Sequence, residues 1–530
     1  MLAGVGPVPA VLFVVAADEG WMPQSSEHLD ALAALGARHG LLVVTRSDLM
    51  EPELALAEAQ ERLAASALGE LPSVCVSAVT GEGLDALRTA VGELVATLPS
   101  PDPGADVRLW VDRAFTIRGA GTVVTGTLPA GTLSVDDELL LQPGGQRVTV
   151  RALQCLGESV QRISGVARVA VNLRGVALEA VGRGSVLVTP GRWLTTAVLD
   201  ARLRPVSGTG PATDLPVQLR LHIGAASVTA RPRPLGADTV RLTLDTTLPL
   251  RIGDRALLRD PGRHHIAAGL TVLDVAPPPL RRRGAAAARA DVLHGMDGRP
   301  DAAGELVRRG LVRREELAAM GADPATAAGS ALTAGGWLLH AGRADELVAR
   351  LVAAVADHAV EDPLEPGLPA AAARRRLELP VAALVEALIT THPEAGLKLR
   401  DGRVQLVSND PDALPTTLRE PLEQLRRDLS HARFAAPEAA RLAELGLGPK
   451  QLAALVRAGE LDKLADGVFL LPGADIAALA ELARLGEEFT LSAARQALGT
   501  SRRVALPLLE RLARLGHTVR TDTGDHRLVT

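Results

Sequence analysis

The pattern of apolar residues changes twice along this chain of 530 residues, and these two changes constrain its fold more than any other feature. Residues 1–100 alternate apolar runs with helical patterns, which indicates a parallel α/β layer. Residues 105–276 show short strands with turn signals about every 8–12 residues, a spacing typical of β-barrels. From residue 277 onward the pattern is helical. One core cannot accommodate three such patterns, so the chain is predicted to be multidomain.

Three apolar runs predict the strands of the first layer. They are AVLFVVAA (10–17), GLLVVT (40–45) and SVCVSA (73–78). Continuous apolar runs of this length are typical of parallel strands that are buried on both faces. Amphipathic helices are predicted at 25–37, 52–68 and 83–97.

Composition argues against a uniformly basic RNA-binding protein, a disulfide-rich protein and a membrane protein. The net charge of -5 gives no sign of a uniformly basic surface, so any RNA contact must come from local patches. Two cysteines, Cys75 and Cys155, cannot build a disulfide framework. Apolar runs stay well short of the roughly 20 residues that span a bilayer. We expect a cytoplasmic protein without a membrane segment.

A short polar motif, Thr45-Arg46-Ser47-Asp48, follows the second predicted strand. It places a carboxylate at the carboxyl end of a strand, where α/β sheets bind ligands. Asp48 is predicted to accept hydrogen bonds from N1 and N2 of guanine, with the stem of Arg46 over the base. Ser77-Ala78, at the end of the third strand, would offer backbone N–H groups to guanine O6. The alternative interpretation of Asp48 is a helix N-cap.

These residues resemble the guanine-specificity motifs of the translational GTPases, whose usual pattern is Asn-Lys-x-Asp. Here Thr45 replaces the asparagine and Arg46 replaces the lysine. The stretch AADEGWMPQSSEHLDAL (16–32) closely resembles the segment that follows switch II in that superfamily. The resemblance implies a partial P-loop GTPase domain, with GTP and Mg²⁺ as the cofactors of the full-length protein.

The phosphate-binding motif of that superfamily has no counterpart in the sequence. No GxxxxGK[ST] stretch occurs in it. We therefore expect this chain, as written, not to hydrolyse GTP, although the resemblance implies a GTPase. We also expect Met1 to be an internal methionine of a longer protein whose front, up to the end of switch II, is missing here. The alternative is a genuine truncated paralogue.

The barrel region resembles the domains that carry tRNA in elongation factors. DVRLWVDRAFTIRGAGTVVTGTL (106–128) resembles the start of domain two of elongation factor Tu relatives, and it is closer to SelB than to elongation factor Tu. The resemblance implies an aminoacyl pocket made of Arg113, held by Asp112, and Arg183. A selenol is more acidic than a thiol, whose pKa is about 8.5, so selenocysteine is largely anionic at neutral pH. A pocket that prefers it over serine therefore needs positive charge. The alternative is a surface ion pair and an unrelated turn arginine.

The last 42 residues carry the strongest RNA signal in the helical region. FTLSAARQALG (489–499) predicts a helix, Thr500-Ser501 a cap, and RRVALPLLERLARLG (502–516) a second helix followed by a two-stranded wing. The segment closely resembles the last winged helix of SelB, which binds the selenocysteine insertion hairpin in mRNA. The arginines to which the resemblance assigns this contact are Arg502, Arg503, Arg520 and Arg527. The alternative is a solvated basic face on a winged helix that binds protein.

The resemblance to SelB, the selenocysteine-specific elongation factors, therefore covers the partial GTP-binding domain, both barrels and the last winged helix. It implies a monomer that delivers selenocysteyl-tRNA to the ribosome at recoded UGA codons. Competing hypotheses are a non-hydrolysing RNA-binding fragment or paralogue of the same family and a DNA-binding regulator. The predicted domains are a truncated GTP-binding domain (1–100), two β-barrels (101–191 and 192–276) and four winged helices (277–352, 353–411, 412–474 and 475–530).

Overall fold

The computed structural model describes residues 9–118, 121–206, 210–263, 265–365, 367–407, 416–521 and 524–529. Contacts divide the chain into two compact units, residues 1–329 and 330–530. None of the helices in these ranges is long and apolar enough to cross a membrane.

A parallel α/β layer opens the first unit. Its elements are β1 (Val11–Ala16), α1 (Pro23–Leu35), β2 (Gly40–Thr45), α2 (Glu53–Ala64), β3 (Ser73–Cys75) and α3 (Leu84–Thr97). All three strands are parallel in the order β1-β2-β3, as the apolar runs predicted. β2 is central and buried from Gly40 to Val44, which explains its unbroken apolar run. β3 ends three residues earlier than predicted, because the chain closes a turn in which the Ser77 N–H bonds the Glu82 carbonyl.

A first antiparallel barrel follows. Its strands are β4 (Arg108–Ile117), β5 (Gly121–Leu128), β6 (Thr132–Ser134), β7 (Glu138–Gln142), β8 (Gln146–Cys155), β9 (Glu158–Val160), β10 (Arg162–Ser164), β11 (Ala167–Arg174) and β12 (Val186–Val188). The order β11-β5-β4-β12-β7-β8 is closed by pairing of β8 with β11. A core of aliphatic residues that includes Leu109, Val124 and Leu187 fills it.

A second closed barrel follows directly. Its strands are β13 (Leu194–Arg204), β14 (Leu219–Ile223), β15 (Ala226–Pro234), β16 (Thr239–Leu250), β17 (Arg255–Asp260) and β18 (His265–Asp274). They close in the order β13-β16-β15-β14-β17-β18. The two closed barrels confirm the prediction made from strand spacing.

Helix α1 of the α/β layer packs on β17 and β18 of the second barrel. Ala31 and Ala34 form a buried cluster with Leu257 and Ile266. A Cβ added to Gly269 would lie 2.2 Å from the Ala34 carbonyl oxygen. Small residues on both partners therefore let the helix backbone approach the barrel directly.

Buried ion pairs attach the next segment to the same barrel. This segment contains α4 (Ala285–His294), α5 (Ala302–Arg309), β19 (Leu311–Arg313) and α6 (Arg314–Ala319). Asp200, which is 0% exposed, pairs with Arg241 and with Arg289 at 2.7 Å each. Arg289 also pairs with Asp274, which in turn pairs with Arg309 at 2.8 Å. We call these five residues the second-barrel ion network.

The second unit repeats a simple pattern in which helices precede a β-hairpin. Its first part contains β20 (Ala331–Ala334), β21 (Trp337–His340), α7 (Ala341–Glu361), β22 (Leu368–Pro369), α8 (Ala370–Arg376), α9 (Ala383–Thr391), β23 (Leu397–Arg400) and β24 (Arg403–Leu406). Its second part contains α10 (Arg419–His431), α11 (Ala439–Glu444), α12 (Pro449–Arg457), β25 (Asp462–Ala465), β26 (Val468–Leu470), α13 (Ala474–Leu482), β27 (Glu488–Phe489), α14 (Leu491–Ala497), α15 (Arg502–Arg514), β28 (Thr518–Arg520) and β29 (His526–Leu528). Helices followed by a hairpin are the expected arrangement of winged helices.

The last two predicted winged helices share one hydrophobic core. A single cluster of buried residues runs from Leu418 to Leu512 and includes Leu455 and Leu482. Residues on both sides of the predicted boundary at 474/475 belong to it. Residues 418–521 and 524–528 therefore pack as one body.

Candidate functional site

Residues predicted to bind guanine lie together at the carboxyl ends of β2 and β3. The Ser77 hydroxyl donates to Asp48 Oδ1 at 2.6 Å, and it accepts the N–H groups of Val79 and Thr80 at 3.2 and 3.1 Å. Ser77 is 0% exposed. A buried hydroxyl with these bonds holds the exposed Asp48 carboxylate in one orientation.

Arg46 and Thr45 support this strand end. Arg46 adopts a left-handed backbone conformation with φ 60°. Its Nη1 pairs with Asp18 and with Glu19 at 3.0 Å each. The Thr45 hydroxyl donates to the Val15 carbonyl at 3.4 Å. The charged end of Arg46 is thus tied to the turn after β1, which leaves its aliphatic stem for contact with a base.

One of the two N–H groups predicted to reach guanine O6 is already bonded. The Ser77 N–H donates to the Glu82 carbonyl at 3.0 Å, so the prediction for this backbone donor is wrong. Ala78 is exposed. Its N–H remains as the donor at this position.

Asp112 does not hold Arg113, contrary to the prediction. Its Oδ2 pairs with Arg168 Nη1 at 2.6 Å, and its Oδ1 accepts the Thr125 hydroxyl at 2.5 Å. A bulge between Val111 and Arg113 shifts the register of β4 against β5. Bulges change the direction of a side chain, and this one directs Asp112 towards the strand that carries Arg168.

Arg113 and Arg183 nevertheless lie at the same end of the first barrel. β12 pairs with β4 so that Val186 is opposite Trp110, and the Gly184 N–H bonds the Val111 carbonyl at 2.9 Å. Continuing this antiparallel register brings the turn that carries Arg183 alongside Arg113. Both arginines are exposed. No carboxylate within the described ranges pairs with either of them.

The field of Arg183 extends to the second barrel. The pKa of His222 is lowered to about 4 by burial and by the charges of Arg259, Arg220 and Arg183. Gly184 lies against Ala226 of the second barrel, since a Cβ there would be 3.2 Å from the Ala226 Cα. His222 therefore stays neutral at physiological pH, and the junction of the barrels keeps a positive potential.

The recognition helix α15 carries Arg502 and Arg503 in its first turn, as predicted. Arg502 is exposed, and no bond to another described residue is found for it. Arg503 is engaged: its guanidinium donates to the carbonyls of Gly467 (3.2 Å), Ala436 (3.1 Å) and Pro437 (3.1 Å). Arg503 thus fastens α15 to the preceding winged helix, although the residue stays exposed.

The cap and the wing also differ in detail from the predictions. Ser501 precedes α15 without a side-chain cap bond, and the Thr500 hydroxyl donates to the Phe434 carbonyl instead. β28 and β29 form the predicted antiparallel wing. Its Arg520 is exposed, whereas Arg527 pairs with Glu488. The predicted turn residue Thr523 lies outside the described residues. Of the four predicted RNA contacts, Arg502 and Arg520 are the two whose side chains form no bond with another described residue.

Comparison with known proteins matches three segments of the chain to family models. They are the elongation factor Tu GTP binding domain (residues 1–97), the β-barrel domain of selenocysteine-specific elongation factor (residues 215–279) and the winged helix of elongation factor SelB (residues 480–529). The selenocysteine-specific elongation factor of Desulfomicrobium baculatum is 35% identical over 294 residues, which is 53% of this chain. That of Escherichia coli (strain K12) is 32% identical over 292 residues.

The chain belongs to the SelB family.

The matched segment spans about half of these SelB relatives, 46% of the length of each. A crystal structure of a bacterial selenocysteine-specific elongation factor, EF-Sec, shares the fold with a TM-score of 0.77. It is 22% identical, and the match covers 100% of this chain and 88% of that one. The fold predicted from the SelB resemblance is therefore confirmed.

Two features of this SelB chain were missed by sequence reasoning. Arg168 as the partner of Asp112 had no local signal, because Arg168 lies on β11 and the contact depends on a bulge at Asp112 in β4. The positive charges around His222 did have a local signal in the sequence. Alternation in LRLHI places Arg220 and His222 on the same face of β14.

Proposed function

We propose that this chain acts as a selenocysteine-specific elongation factor. In this function it carries selenocysteyl-tRNA to the ribosome at recoded UGA codons, bound to GTP, the tRNA and an insertion hairpin in the mRNA. The observation that carries the proposal is the register of β12 on β4, which places Arg113 and Arg183 at one end of the first barrel, where no carboxylate of the described residues pairs with either.

Charge is the physical basis of amino-acid selection in this proposal. Serine presents a neutral hydroxyl, whereas selenocysteine presents an anion at neutral pH. Hydrogen bonds to charged groups contribute about 1.5–3 kcal/mol, roughly a 10- to 100-fold difference in Kd. Arg113 and Arg183 would supply this difference, and the positive potential around His222 adds to it.

The test compares selenocysteyl-tRNA with seryl-tRNA made on the same tRNA. Wild type is expected to prefer the selenocysteyl form. Arg113→Ala and Arg183→Ala are each expected to lose about 10-fold in that preference, because each removes one cation from the pocket. Equilibrium binding of the two tRNAs to each variant measures the ratio.

The matched control is Arg147→Ala in the same barrel. Arg147 forms an exposed pair with Glu138, and 69% of its side chain is exposed. This variant should keep the wild-type ratio. Equal binding of both tRNAs by wild type would contradict the proposal and would favour a general RNA-binding protein.

The proposed hairpin contacts give a second prediction. Arg502→Ala and Arg520→Ala are each expected to weaken binding of an insertion hairpin and to reduce the slope of log K against log salt by about 1, because each removes one phosphate contact. Arg495→Ala, on the neighbouring helix α14, is the control. Titrations at several salt concentrations measure the slope.

The hairpin proposal would fail if the salt slope stayed the same in both variants. It would also fail if duplex DNA of equal length bound as tightly as the hairpin at the same salt. That second result would favour the DNA-binding alternative. Arg503→Ala is not suitable for this test because its guanidinium holds the preceding module.

The residues at the strand ends fit a guanine base but not the phosphates. Asp48, oriented by Ser77, would accept the N1 and N2 donors, and the stem of Arg46 would cover the base. We therefore assign guanine recognition to this chain.

A further inference from the structure

A cavity of about 390 Å³ lies where the α/β layer, the second barrel and the loop after α4 meet. Four of its lining residues are arginines, and the only carboxylate among them is Asp297. The arginines come from four separate places in the chain: Arg38 follows α1, Arg204 ends β13, Arg255 starts β17 and Arg299 follows α4. We call this group the arginine cavity.

Most of these cations have no counter-ion. No described side chain forms an ion pair with Arg38, Arg204 or Arg255. Arg299 approaches Asp297 only at 3.8 Å, and 89% of its side chain is exposed. The arginines of the second-barrel ion network, by contrast, are each paired with a carboxylate. Among the described residues, the arginine cavity therefore combines four guanidinium groups with a single carboxylate, that of Asp297.

Arg204 is the most confined member of the group. Its guanidinium packs against Gly36 at the end of α1, where an added Cβ would lie 1.9 Å from Nη1. The pKa of Arg204 is lowered by burial and by the charges of Arg255 and Arg38. Guanidinium groups held together in this way repel one another, so their arrangement costs stability unless an anion joins them.

The walls of the cavity are fixed by the backbone. Arg255 Nη1 donates to the carbonyls of Leu35 and Gly36 at 3.2 and 2.7 Å, which caps the end of α1 and orients this guanidinium. Gly253 adopts φ 90°, and its Cβ position lies 2.8 Å from the Gly298 carbonyl. Only glycine fits that contact, and the absence of side chains there keeps the floor of the cavity open.

We propose that the arginine cavity binds phosphate groups. Guanidinium groups donate paired N–H bonds that match phosphate oxygens, and several converging arginines suit a multiply charged anion such as pyrophosphate. Phosphate could come from a free anion or from the backbone of RNA, and both present the same oxygens. A bound phosphate would neutralise Arg204 and Arg38 together and would link the α/β layer to the second barrel.

The test uses the full chain and titrates orthophosphate, pyrophosphate and a short RNA without terminal phosphates, at constant ionic strength. Isothermal calorimetry gives affinities, and the melting temperature gives linkage to stability. We expect saturable binding of pyrophosphate with a rise in melting temperature. Arg204→Gln and Arg38→Gln should each weaken it by 10-fold or more. Arg231→Gln, an exposed arginine of the same barrel outside the cavity, should not.

A ligand role and a structural role give opposite results for Arg204→Gln. If Arg204 serves a ligand, removal of a repelled cation leaves the melting temperature without phosphate unchanged or raised, while the phosphate-induced rise disappears. A fall in melting temperature without phosphate, with unchanged affinity, would overturn the proposal, as would no binding by wild type. Arg299→Gln provides the same test at an exposed position. Competition by the RNA would identify phosphodiesters as the source, and its failure would identify free phosphate.

Discussion

Replacing Asp200 by alanine is expected to lower the free energy of unfolding of the first unit by about 3–5 kcal/mol. Asp200 is fully buried and pairs with Arg241 and Arg289, which are 9% and 8% exposed. The substitution would leave both guanidinium groups buried with less compensation. Chemical denaturation measures the loss, and hydrogen exchange of α4 should accelerate because Arg289 belongs to that helix.

Asp238→Ala is the matched control for this prediction. Asp238 pairs with Arg202 at 3.0 Å, but 54% of its side chain is exposed. Exposed pairs contribute about 0–1 kcal/mol, so this variant should stay close to wild type. If Asp200→Ala lowered the free energy of unfolding no more than Asp238→Ala, the second-barrel ion network would not be what holds α4 on the barrel.

Replacing Gly269 by alanine is expected to displace α1 from the second barrel. An added Cβ would lie 2.2 Å from the carbonyl oxygen of Ala34 and 2.6 Å from its Cα, and a helix backbone cannot move aside locally. Overpacking of this kind costs about 1–3 kcal/mol, and valine should cost more. The melting temperature and hydrogen exchange of α1 measure the effect.

The control is Gly92→Ala in α3, where no atom lies within 4 Å of the added Cβ. That variant should be neutral or slightly stabilising, because alanine has the higher helix propensity. Displacement of α1 also moves Gly36 and Arg38 away from Arg204. Gly269→Ala is therefore expected to lose the phosphate response of the arginine cavity, and a full response would show that α1 had not moved.

Local sequence patterns predicted the elements well where burial alone sets them. The apolar run 40–45 coincides with β2, since a central parallel strand is buried on both faces. The turn signals of residues 105–276 led to two closed barrels. Helix α15 begins at Arg502 as predicted, because its apolar residues recur on one face.

Contacts between residues that are distant in sequence could not be predicted from local patterns. Asp112 adjoins Arg113 in sequence, yet it pairs with Arg168, 56 positions further along, because a bulge changes the register of β4. Arg503 lies in the first turn of α15. When the last winged helix is considered alone, a side chain at this position is expected to face solvent. Its carbonyl partners belong to another module, and no repeat pattern records how two modules dock. The arginine cavity was missed for the same reason, since its arginines lie at four separate places in the chain.

The shared core of residues 418–528 has a mechanical consequence. Arg503 bonds carbonyls of the preceding module, and one apolar cluster continues from Leu418 to Leu512. Because α15 and α10 contribute side chains to the same core, α15 cannot turn without disturbing the packing of α10. We expect a force applied at Arg502 to be transmitted through this core to α10.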